Sequence, residues 1–409
     1  MPRTMKVLQI NTVYGHGSTG MIAKSIHDFC KKNDIQCISA HRYDTEGEHP
    51  LEDTIAISSK WDNRLHGQFS RFTMFKGAGS IVRTVHFLKK VSMFSPDLIH
   101  LHNLHGSYIN LPLLFQYIKK QHIPVVWTLH DCWAFTAICS HFSIAGCEKW
   151  KSGCNGCPQK SRYSSALIDL SASVWKAKKA WFTGISHTVI VTPSHWLENL
   201  TRMSFLGGYQ IQTIYNGIDL SVFRETESDF RKEHGLETKK IVLGVAFGWS
   251  YAKGLDVFFE LARRLPKDYQ IVLVGTTSEL DSQLPESILS IHRTKDQKEL
   301  AAIYTAADVF ANPTREEVLG LVNIEALACG TPVITFDAGG SPECVGQRCG
   351  TVVPKDDIDA MEREILRVCT HAPYSKQECR HQAKQFDQQR CLEAYLKLYS
   401  KMIDTNESK

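Results

Sequence analysis

The chain has 409 residues, a length that predicts two domains of about 200 residues each. With 43% hydrophobic residues, 22% charged residues and a net charge of +4, its composition is that of an ordinary globular protein. No stretch approaches the roughly 18 uninterrupted apolar residues of a membrane-spanning helix, and the start, MPRTMKVLQI, lacks the features of a signal peptide. We therefore expect a cytoplasmic protein.

Short apolar strands alternate with helical patterns along the whole chain. The first half contains KVLQINTV, QCISAHR, DLIHLHN and PVVWTLHD, with helical stretches at Met21–Lys32 and Leu111–Gln121. After Pro193 the strands are IQTIYNG, KIVLGVAF, QIVLVGT, DVFANP and TPVITFD. This alternation predicts an α/β fold of two doubly wound, Rossmann-like parallel sheets. We expect domains at 1–192 and 193–385, and a C-terminal helix and tail at 386–409 that return to the first domain.

A glycine-rich loop follows the first strand and opens the first helix. Its residues are Gly15, Gly17, Ser18, Thr19 and Gly20. Such a loop lets the backbone approach a ligand and leaves helix amides available to anionic groups. The spacing also fits the dinucleotide fingerprint, so an NAD(P)-dependent oxidoreductase is the main alternative. That fingerprint expects an acid after the second strand, where this chain has Arg42 and only later Asp44. A tight turn without any ligand is the third interpretation.

The segment 60–90 combines seven Lys and Arg residues with one acid and several aromatic residues. This mixture in a helical segment is typical of peripheral contact with a membrane surface. The alternative is a solvated helical face whose apolar side packs on its own domain.

Two features follow the strand PVVWT. His130 and Asp131 lie at its carboxyl end, where parallel sheets bind ligands, although a lone histidine there is more often structural. An insertion at 132–160 then carries Cys139, Cys147, Cys154 and Cys157, a set that suits a structural zinc site. Free thiols and disulfides are the alternatives. We expect no nucleic-acid binding, because the basic residues lie elsewhere and no recognition helix follows.

The segment 312–343, NPTREEVLGLVNIEALACGTPVITFDAGGSPE, carries the most specific motif. A helix is predicted to start near Leu319, so the amides of Gly320, Leu321 and Val322 would be available to a pyrophosphate. Glu325 could accept hydrogen bonds from ribose hydroxyls, and Glu317 could contact a transferred sugar.

These residues resemble the retaining glycosyltransferases of family 4, which have the GT-B fold with the active site in a cleft between two domains. The segment from His130 to Phe135 and the sequence Cys157-Pro158-Gln159 resemble the bacterial exopolysaccharide and colanic-acid-type branch. The resemblance implies that Glu317 lies beside the donor sugar and Glu325 on the ribose. It also implies that His130, with Asp131, contacts the donor sugar or the acceptor.

The resemblance extends to the groups that bind the leaving phosphates. Lys253 matches the lysine that neutralises the donor pyrophosphate, as the charge of the leaving group requires. The family's arginine before this lysine is replaced by Phe247-Gly248-Trp249, so Arg315 is a candidate to share the role. Asn216 matches an interdomain segment, which in a simpler interpretation is only a turn.

The predicted function is transfer of a glycosyl group, of the hexosyltransferase type, from a nucleoside diphosphate sugar to a hydroxyl acceptor with retention of configuration. The acceptor would be a glycan or a lipid-linked sugar in bacterial cell-surface polysaccharide biosynthesis, at the inner face of the cytoplasmic membrane. We expect no cofactor for catalysis, because no D-x-D pair follows a strand. The alternatives are the oxidoreductase and a non-catalytic protein that binds sugar nucleotides.

Overall fold

The structure, a computed structural model, describes residues 4–43 and 53–407. Asp44, which bears on the dinucleotide alternative, lies outside these residues. The chain forms two compact units, Met1–Ile214 with Leu392–Lys409, and Tyr215–Cys391. Each unit is built on one parallel sheet with helical connections, so the predicted α/β class with two doubly wound domains is confirmed.

The first unit contains a seven-stranded sheet in the order β3-β2-β1-β4-β5-β6-β7. Its strands are β1 (Lys6–Ile10), β2 (Gln36–His41), β3 (Thr54–Ala56), β4 (Leu98–Leu101), β5 (Val125–Thr128), β6 (Thr188–Thr192) and β7 (Gln210–Thr213). Its helices are α1 (Gly17–Lys32), α2 (Lys60–Thr73), α3 (Ile81–Phe94), α4 (Leu111–Gln121), α5 (Lys160–Tyr163), α6 (Ser171–Phe182) and α7 (His195–Met203). Every residue of β4, β5 and β6 is buried, as strands covered on both faces require.

The second unit contains a six-stranded sheet in the order β10-β9-β8-β11-β12-β13. Its strands are β8 (Lys240–Val245), β9 (Tyr269–Val274), β10 (Ile288–Ile291), β11 (Val309–Asn312), β12 (Val333–Phe336) and β13 (Gly350–Val353). Its helices are α8 (Phe230–Glu233), α9 (Leu255–Arg264), α10 (Ser278–Asp281), α11 (Gln297–Ala306), α12 (Leu321–Ala328), α13 (Ile358–His371) and α14 (Lys376–Ala383). Apolar residues cover the sheet on both faces, so the core consists of two layers.

The first unit extends further along the chain than the predicted limit at residue 192. Strand β7 pairs in parallel with β6, with Val189 opposite Gln210, so both strands belong to the first sheet. The residues after Pro193 therefore form a crossover connection through α7 and not a linker between domains. The unit ends at Ile214.

The last helix, α15 (Gln388–Glu407), begins in the second unit, and its residues from Leu392 belong to the first. In the first unit, the hydroxyl of Tyr399 lies 2.6 Å from Nδ1 of His100, and that of Tyr395 lies 2.9 Å from the hydroxyl of Thr128. Among the described helices, none has the combination of length and apolarity that crossing a bilayer requires.

Candidate active site

The second unit has its topological switch point between β8 and β11, because the connections on the two sides of this pair lead to opposite edges of the sheet. Ligands of open parallel sheets bind beyond the carboxyl ends of the strands at such a point. The loop after β8 leads into a 3-10 turn, Tyr251–Lys253, and the loop after β11 carries the predicted glutamate Glu317.

These two loops bring Lys253 and Glu317 into direct contact. The Lys253 ammonium donates a hydrogen bond to Oε2 of Glu317 at 2.7 Å, and both side chains remain partly exposed. Oε1 of the same carboxylate accepts the N–H of Val318 at 3.1 Å, so the side chain is held at both oxygens. The structure thus places a cation and a carboxylate, both predicted from the sequence, side by side at the switch point.

Two glycines allow the loops of this site to pack closely. Gly254 has φ +75°, and a Cβ atom there would overlap the carbonyl oxygen of Pro313. Gly339, in the second glycine turn, has φ +62°, and a Cβ atom there would overlap the carbonyl oxygen of Glu317. Gly340 donates its N–H to that same oxygen at 3.1 Å. The Gly339–Gly340 turn therefore fixes the backbone of Glu317.

The side chain of Arg315, a candidate contact for the donor phosphates, is bound by groups of the protein itself. Its buried guanidinium donates to both carboxylate oxygens of Asp256, at 2.7 and 2.8 Å, and to Asp356 at 2.5 Å. It also donates to the carbonyl of Tyr251 and lies 3.9 Å from the centre of that ring. Two carboxylates already neutralise its charge, so Arg315 supports the turn that carries Lys253 and does not present a cation to a ligand.

Helix α12 begins directly after this loop with Gly320 as its N-cap, at φ +86° and without a side-chain cap. The first-turn amides, which include those of Leu321 and Val322, therefore keep the anion-binding potential predicted for them. Beneath the helix, the side-chain amide of Asn312 donates to Asn323 at 2.7 Å, and that of Asn323 donates to Ser341 at 2.8 Å. This buried chain of hydrogen bonds ties the end of β11, α12 and the glycine turn together, and the sequence did not indicate it.

Glu325 lies one turn into α12. Its carboxylate accepts the hydroxyl of the fully buried Tyr304 at 2.9 Å. Burial raises the pKa of Glu325 from 4.5 to about 7, while the hydrogen bond from Tyr304 acts in the opposite direction. A carboxyl group with this pKa is partly protonated at neutral pH, so its ability to accept hydrogen bonds depends on pH.

The first unit has its own switch point, between β1 and β4. The side chain of Asn11, just after β1, accepts the N–H of Asn103, which follows β4, and donates to the carbonyl of Thr19 at 3.1 Å. Gly15 and Gly17, with φ +73° and +62°, form the turn into α1. The predicted glycine loop, including Ser18 and Gly20, thus lies at this switch point, anchored by a residue that the sequence did not single out.

His130 and Asp131 follow β5, next to β4 in the sheet. Oδ2 of Asp131 lies 2.9 Å from Nε2 of His105, and its Oδ1 accepts the N–H of Trp133. Burial acts to raise the pKa of Asp131, but the neighbouring His105 and this N–H together outweigh it and lower the pKa to about 2. Asp131 therefore remains a carboxylate committed to orienting its neighbours.

Two further histidine rings, those of His102 and His100, lie next to the His130 ring. Nε2 of His130 lies 3.1 Å from Nδ1 of His102, and the ring centres of His102 and His100 are 3.9 Å apart. Burial lowers the pKa of His130 to about 4 and those of His100 and His102 well below 6.5, so all three rings are neutral at physiological pH. In the sequence LIHLHN the two histidines are two residues apart, one in strand β4 and one just after it, and this spacing was the only local sign that both rings lie on the same face of the sheet.

Asn216 is buried at the start of the second unit, beside the bridge between Ile218 and Asp387. Within the described residues it shares no hydrogen bond with Lys253 or Glu317. A role of Asn216 in binding the donor therefore stays a prediction.

The four predicted zinc ligands line one cavity of about 20 Å³ in the first unit. Cys139 is buried, and Cys147, Cys154 and Cys157 are partly exposed. Among the residues that the structure describes, no three His, Cys, Asp or Glu side chains converge on one point as metal ligands. The zinc site therefore stays a prediction, with the four cysteines brought to one place.

Two family models match this chain in succession. The model described as "Glycosyltransferase Family 4" matches residues 37–222, and that described as "Glycosyl transferases group 1" matches residues 239–371. The two ranges cover most of the chain and one lies over each sheet. The chain belongs to the family 4 glycosyltransferases and is an enzyme of glycosyl transfer. The oxidoreductase alternative receives no support from these matches.

Individual relatives agree with this assignment. WcaC of Escherichia coli K12, a glycosyl transferase named for colanic acid biosynthesis, is 22% identical over 370 residues, which are 87% of this chain and 88% of that protein. Sucrose-phosphate synthase from Thermosynechococcus elongatus superposes with a TM-score of 0.72 at 17% identity, over 98% of this chain and all of that one. Alr3699/HepE of Anabaena, solved with UDP-glucose, has a TM-score of 0.66 at 16% identity, over 99% of this chain and 100% of that chain. The fold is that of the GT-B glycosyltransferases.

Proposed function

We propose that this enzyme transfers a sugar from a nucleoside diphosphate sugar to a hydroxyl acceptor, with retention at the anomeric carbon. The second unit would bind the donor and the first unit the acceptor. The observation that carries the proposal is the 2.7 Å pair of Lys253 and Glu317, which lies at a switch point where α12 presents uncapped amides. The UDP-glucose bound by Alr3699/HepE supports a nucleotide sugar as donor.

The charges of the site suit such a donor. A pyrophosphate carries two negative charges and gains more as the glycosidic bond breaks, so it needs cations and N–H groups that are already in place. Lys253 and the first-turn amides of α12 would supply them, and the carboxylate of Glu325 would accept the ribose hydroxyls. Glu317, held between Lys253 and an N–H, would accept hydroxyls of the sugar.

In the reaction, the bond between the anomeric carbon and the phosphate oxygen breaks, and a bond from that carbon to the acceptor oxygen forms. The departing phosphate oxygen would take the proton of the acceptor hydroxyl, so no separate protein base is required. His130, which is neutral at physiological pH, would contact hydroxyls of the sugar or acceptor and would not act as a dedicated base.

The experiment is a titration of the purified enzyme with UDP-, GDP- and ADP-sugars, followed by thermal shift and nucleotide release. We expect one nucleotide class to stabilise the enzyme, and Lys253→Ala to weaken its binding at least tenfold. Lys376→Ala is the matched control, because Lys376 forms a comparable 2.8 Å pair with Glu225 on the surface of the same unit. Equal effects of both substitutions, or no stabilisation by any nucleotide sugar, would contradict the proposed donor site.

We further propose that helix α2 places the enzyme on an anionic membrane surface. This helix buries the polar residues His66 and Ser70 and exposes its apolar ones, the reverse of an ordinary surface helix. Trp61 and Phe72 are each 73% exposed and Leu65 is 67% exposed. Packing of an apolar side against the domain, the alternative considered for this segment, does not account for these exposures.

The charge around this apolar stripe favours anionic lipid as the occupant. Arg64 and Arg71 are exposed on α2, and Arg83, Lys89 and Lys90 are exposed on α3. A basic rim around aromatic residues is the pattern of interfacial helices. Such a contact would suit a lipid-linked acceptor, at the cytoplasmic face of the membrane, in the synthesis of a cell-surface polysaccharide.

Vesicle flotation tests this contact. Wild-type enzyme should float with phosphatidylglycerol vesicles and much less with phosphatidylcholine vesicles, and the double variant Trp61→Ser, Phe72→Ser should remain in the soluble fraction. Leu167→Ser is the control, since Leu167 is 91% exposed in the same unit but outside 60–90. Absence of flotation by the wild type, or its self-association through α2 in sedimentation, would contradict the membrane proposal.

We also propose that Cys139, Cys147, Cys154 and Cys157 hold a structural zinc ion. Their common cavity of about 20 Å³ has room for one small occupant. Four cysteine thiolates are a complete ligand set for a tetrahedral structural zinc ion. Elemental analysis should find one zinc per chain, lost in Cys154→Ser and kept in Cys30→Ser, because Cys30 is buried on helix α1 and does not line the cysteine cavity. A metal-free, folded wild type grown with zinc would refute this.

A further inference from the structure

A chain of polar side chains crosses four adjacent strands inside the first unit and ends at His130. It runs from Ser39 on β2 through Gln9 on β1 and His102 after β4 to His130 after β5. The joining distances are 3.3 Å from Gln9 Nε2 to Ser39, 3.0 Å from Gln9 Oε1 to His102, and 3.1 Å from His102 to His130. Ser39, Gln9 and His102 are fully buried, whereas His130 is partly exposed.

The orientation of the Gln9 amide is fixed by its other partners. Its nitrogen lies 3.1 Å from the backbone carbonyl of Ala23, which can only accept a hydrogen bond. The NH2 group must therefore face Ala23 and Ser39. The amide oxygen then faces Nε2 of His102, and this oxygen can only accept.

The proton positions on the two histidines follow from this orientation. Because the Gln9 oxygen accepts, Nε2 of His102 must carry a proton. His102 is neutral, since burial and the neighbouring histidines disfavour its charged form, so its Nδ1 has a lone pair. That lone pair lies 3.1 Å from Nε2 of His130, which must then be the donor. A neutral His130 with its proton on Nε2 has an unprotonated Nδ1.

We propose that Gln9 and His102 are positioning residues that hold His130 in its Nε2-protonated tautomer, so that Nδ1 can accept a hydrogen bond from a substrate hydroxyl. Nδ1 of His130 has no hydrogen-bond partner among the described residues, and the residue is partly exposed. The hydroxyl as the ligand rests on the proposed function, whereas the tautomer rests only on the protein's own contacts.

The arrangement matters because a histidine that is neutral in water can exchange its proton between the two nitrogens. A proton on Nδ1 would leave two lone pairs facing each other between His130 and His102, and a donor facing the substrate. A fixed acceptor costs no reorganisation when the sugar hydroxyl arrives. We therefore expect disruption of the polar chain from Gln9 to His130 to lower kcat about tenfold. The affinity for the nucleotide should change little, because the proposed nucleotide ligands lie in the second unit.

The test combines NMR of enzyme labelled with nitrogen-15 in histidine and kinetics of the same proteins. Long-range nitrogen–proton correlations assign the tautomer, with His130→Gln identifying the His130 signals. Gln9→Met removes the acceptor of the His102 proton. Thr128→Val is the matched control, because its buried hydroxyl lies 2.8 Å from Nε2 of His100 and, among the described residues, forms no hydrogen bond with His102 or His130.

The wild type should show His130 protonated on Nε2, and so should Thr128→Val. Gln9→Met should show the second tautomer together with the loss in kcat. A wild-type His130 that is protonated on Nδ1, or charged at pH 7.5, would refute the proposed tautomer whatever the activity. An Nε2-protonated His130 whose kcat is unaffected by Gln9→Met would overturn the positioning role. Failure of the proposed function appears separately, as a wild type with the expected spectrum and no turnover.

Discussion

The raised pKa of Glu325 gives the donor site a pH dependence that can be worked out from the structure. Only the carboxylate can accept two ribose hydroxyls, whereas the protonated form has one donor of its own. With a pKa of about 7, roughly one tenth of Glu325 is ionised at pH 6 and about nine tenths at pH 8. The affinity for a nucleotide sugar should therefore increase about tenfold from pH 6 to pH 8.

The assay is isothermal titration calorimetry with UDP-glucose, whose pyrophosphate diester does not titrate in this range. Glu325→Gln should bind more weakly at pH 8 and show no pH dependence. Tyr304→Phe removes the hydroxyl that favours the charged form, so the pKa of Glu325 should rise further, by about one unit. The midpoint of the binding curve should then move to higher pH.

A flat wild-type curve between pH 6 and 8, or a tenfold dependence that persists in Glu325→Gln, would refute the assignment of Glu325 to the ribose. A midpoint that moves to lower pH in Tyr304→Phe would refute the electrostatic argument itself.

Three further outcomes follow from individual side chains. Gly339→Ala should lower turnover at least tenfold, because its Cβ would displace the carbonyl of Glu317. Gly17 has the same φ of +62° but open space around it, so Gly17→Ala should lower turnover less when the kinetics of the two variants are compared. Lys178→Met should lower the free energy of unfolding in urea by about 3 kcal/mol, because the buried ammonium of Lys178 donates hydrogen bonds to several backbone carbonyls. Lys176 is exposed on the same helix, so Lys176→Met should have little effect. Burial lowers the pKa of His66 from 6.5 to about 4, so between these pH values the unfolded chain binds a proton that the folded protein does not. The free energy of unfolding should therefore fall by up to about 1.4 kcal/mol per pH unit as the pH decreases through this range. His66→Gln should depend less on pH in the same denaturation series.

The strands and the motifs of the donor site were predictable because their signals are local. KIVLGV and QIVLV are apolar runs of strand length, and the loop from Asn312 to Glu325 carries its glycine, helix start and glutamates within one stretch. Only Lys253 comes from elsewhere in the sequence, in the loop that follows the neighbouring strand β8. Parallel topology brings it to the site, because β8 and β11 end at the same edge of the sheet.

The unit boundary was wrong by about two elements for a physical reason. Pro193 follows a strand, and the sequence alone does not distinguish a linker from a crossover connection. Ser194 in fact caps α7, whose chain returns to pair β7 with β6. For helix α2 the sequence left two interpretations open, because its 3.6-residue pattern gives the apolar stripe but not whether that stripe faces the domain or solvent.

Contacts distant in sequence were beyond prediction. Arg315 is engaged by Asp256 and Asp356, which lie 59 and 41 residues away, so its commitment to the protein could not be seen from its own neighbourhood. Gln9 and His102 are 93 residues apart, and neither residue type alone signals a polar chain. Both cases depend on which strands are adjacent, which is decided by the fold as a whole.

The most direct test of the central claim is proton NMR of donor hydrolysis, recorded before the released sugar can mutarotate. With the nucleotide sugar that stabilises the enzyme, the first product should be the free sugar in the same anomeric configuration as the donor, together with the nucleoside diphosphate. Glu317→Gln should reduce this release at least tenfold while the enzyme remains folded. Release of the opposite anomer, or no release from any nucleotide sugar with or without added glycan acceptors, would contradict a retaining glycosyltransferase built on Lys253 and Glu317.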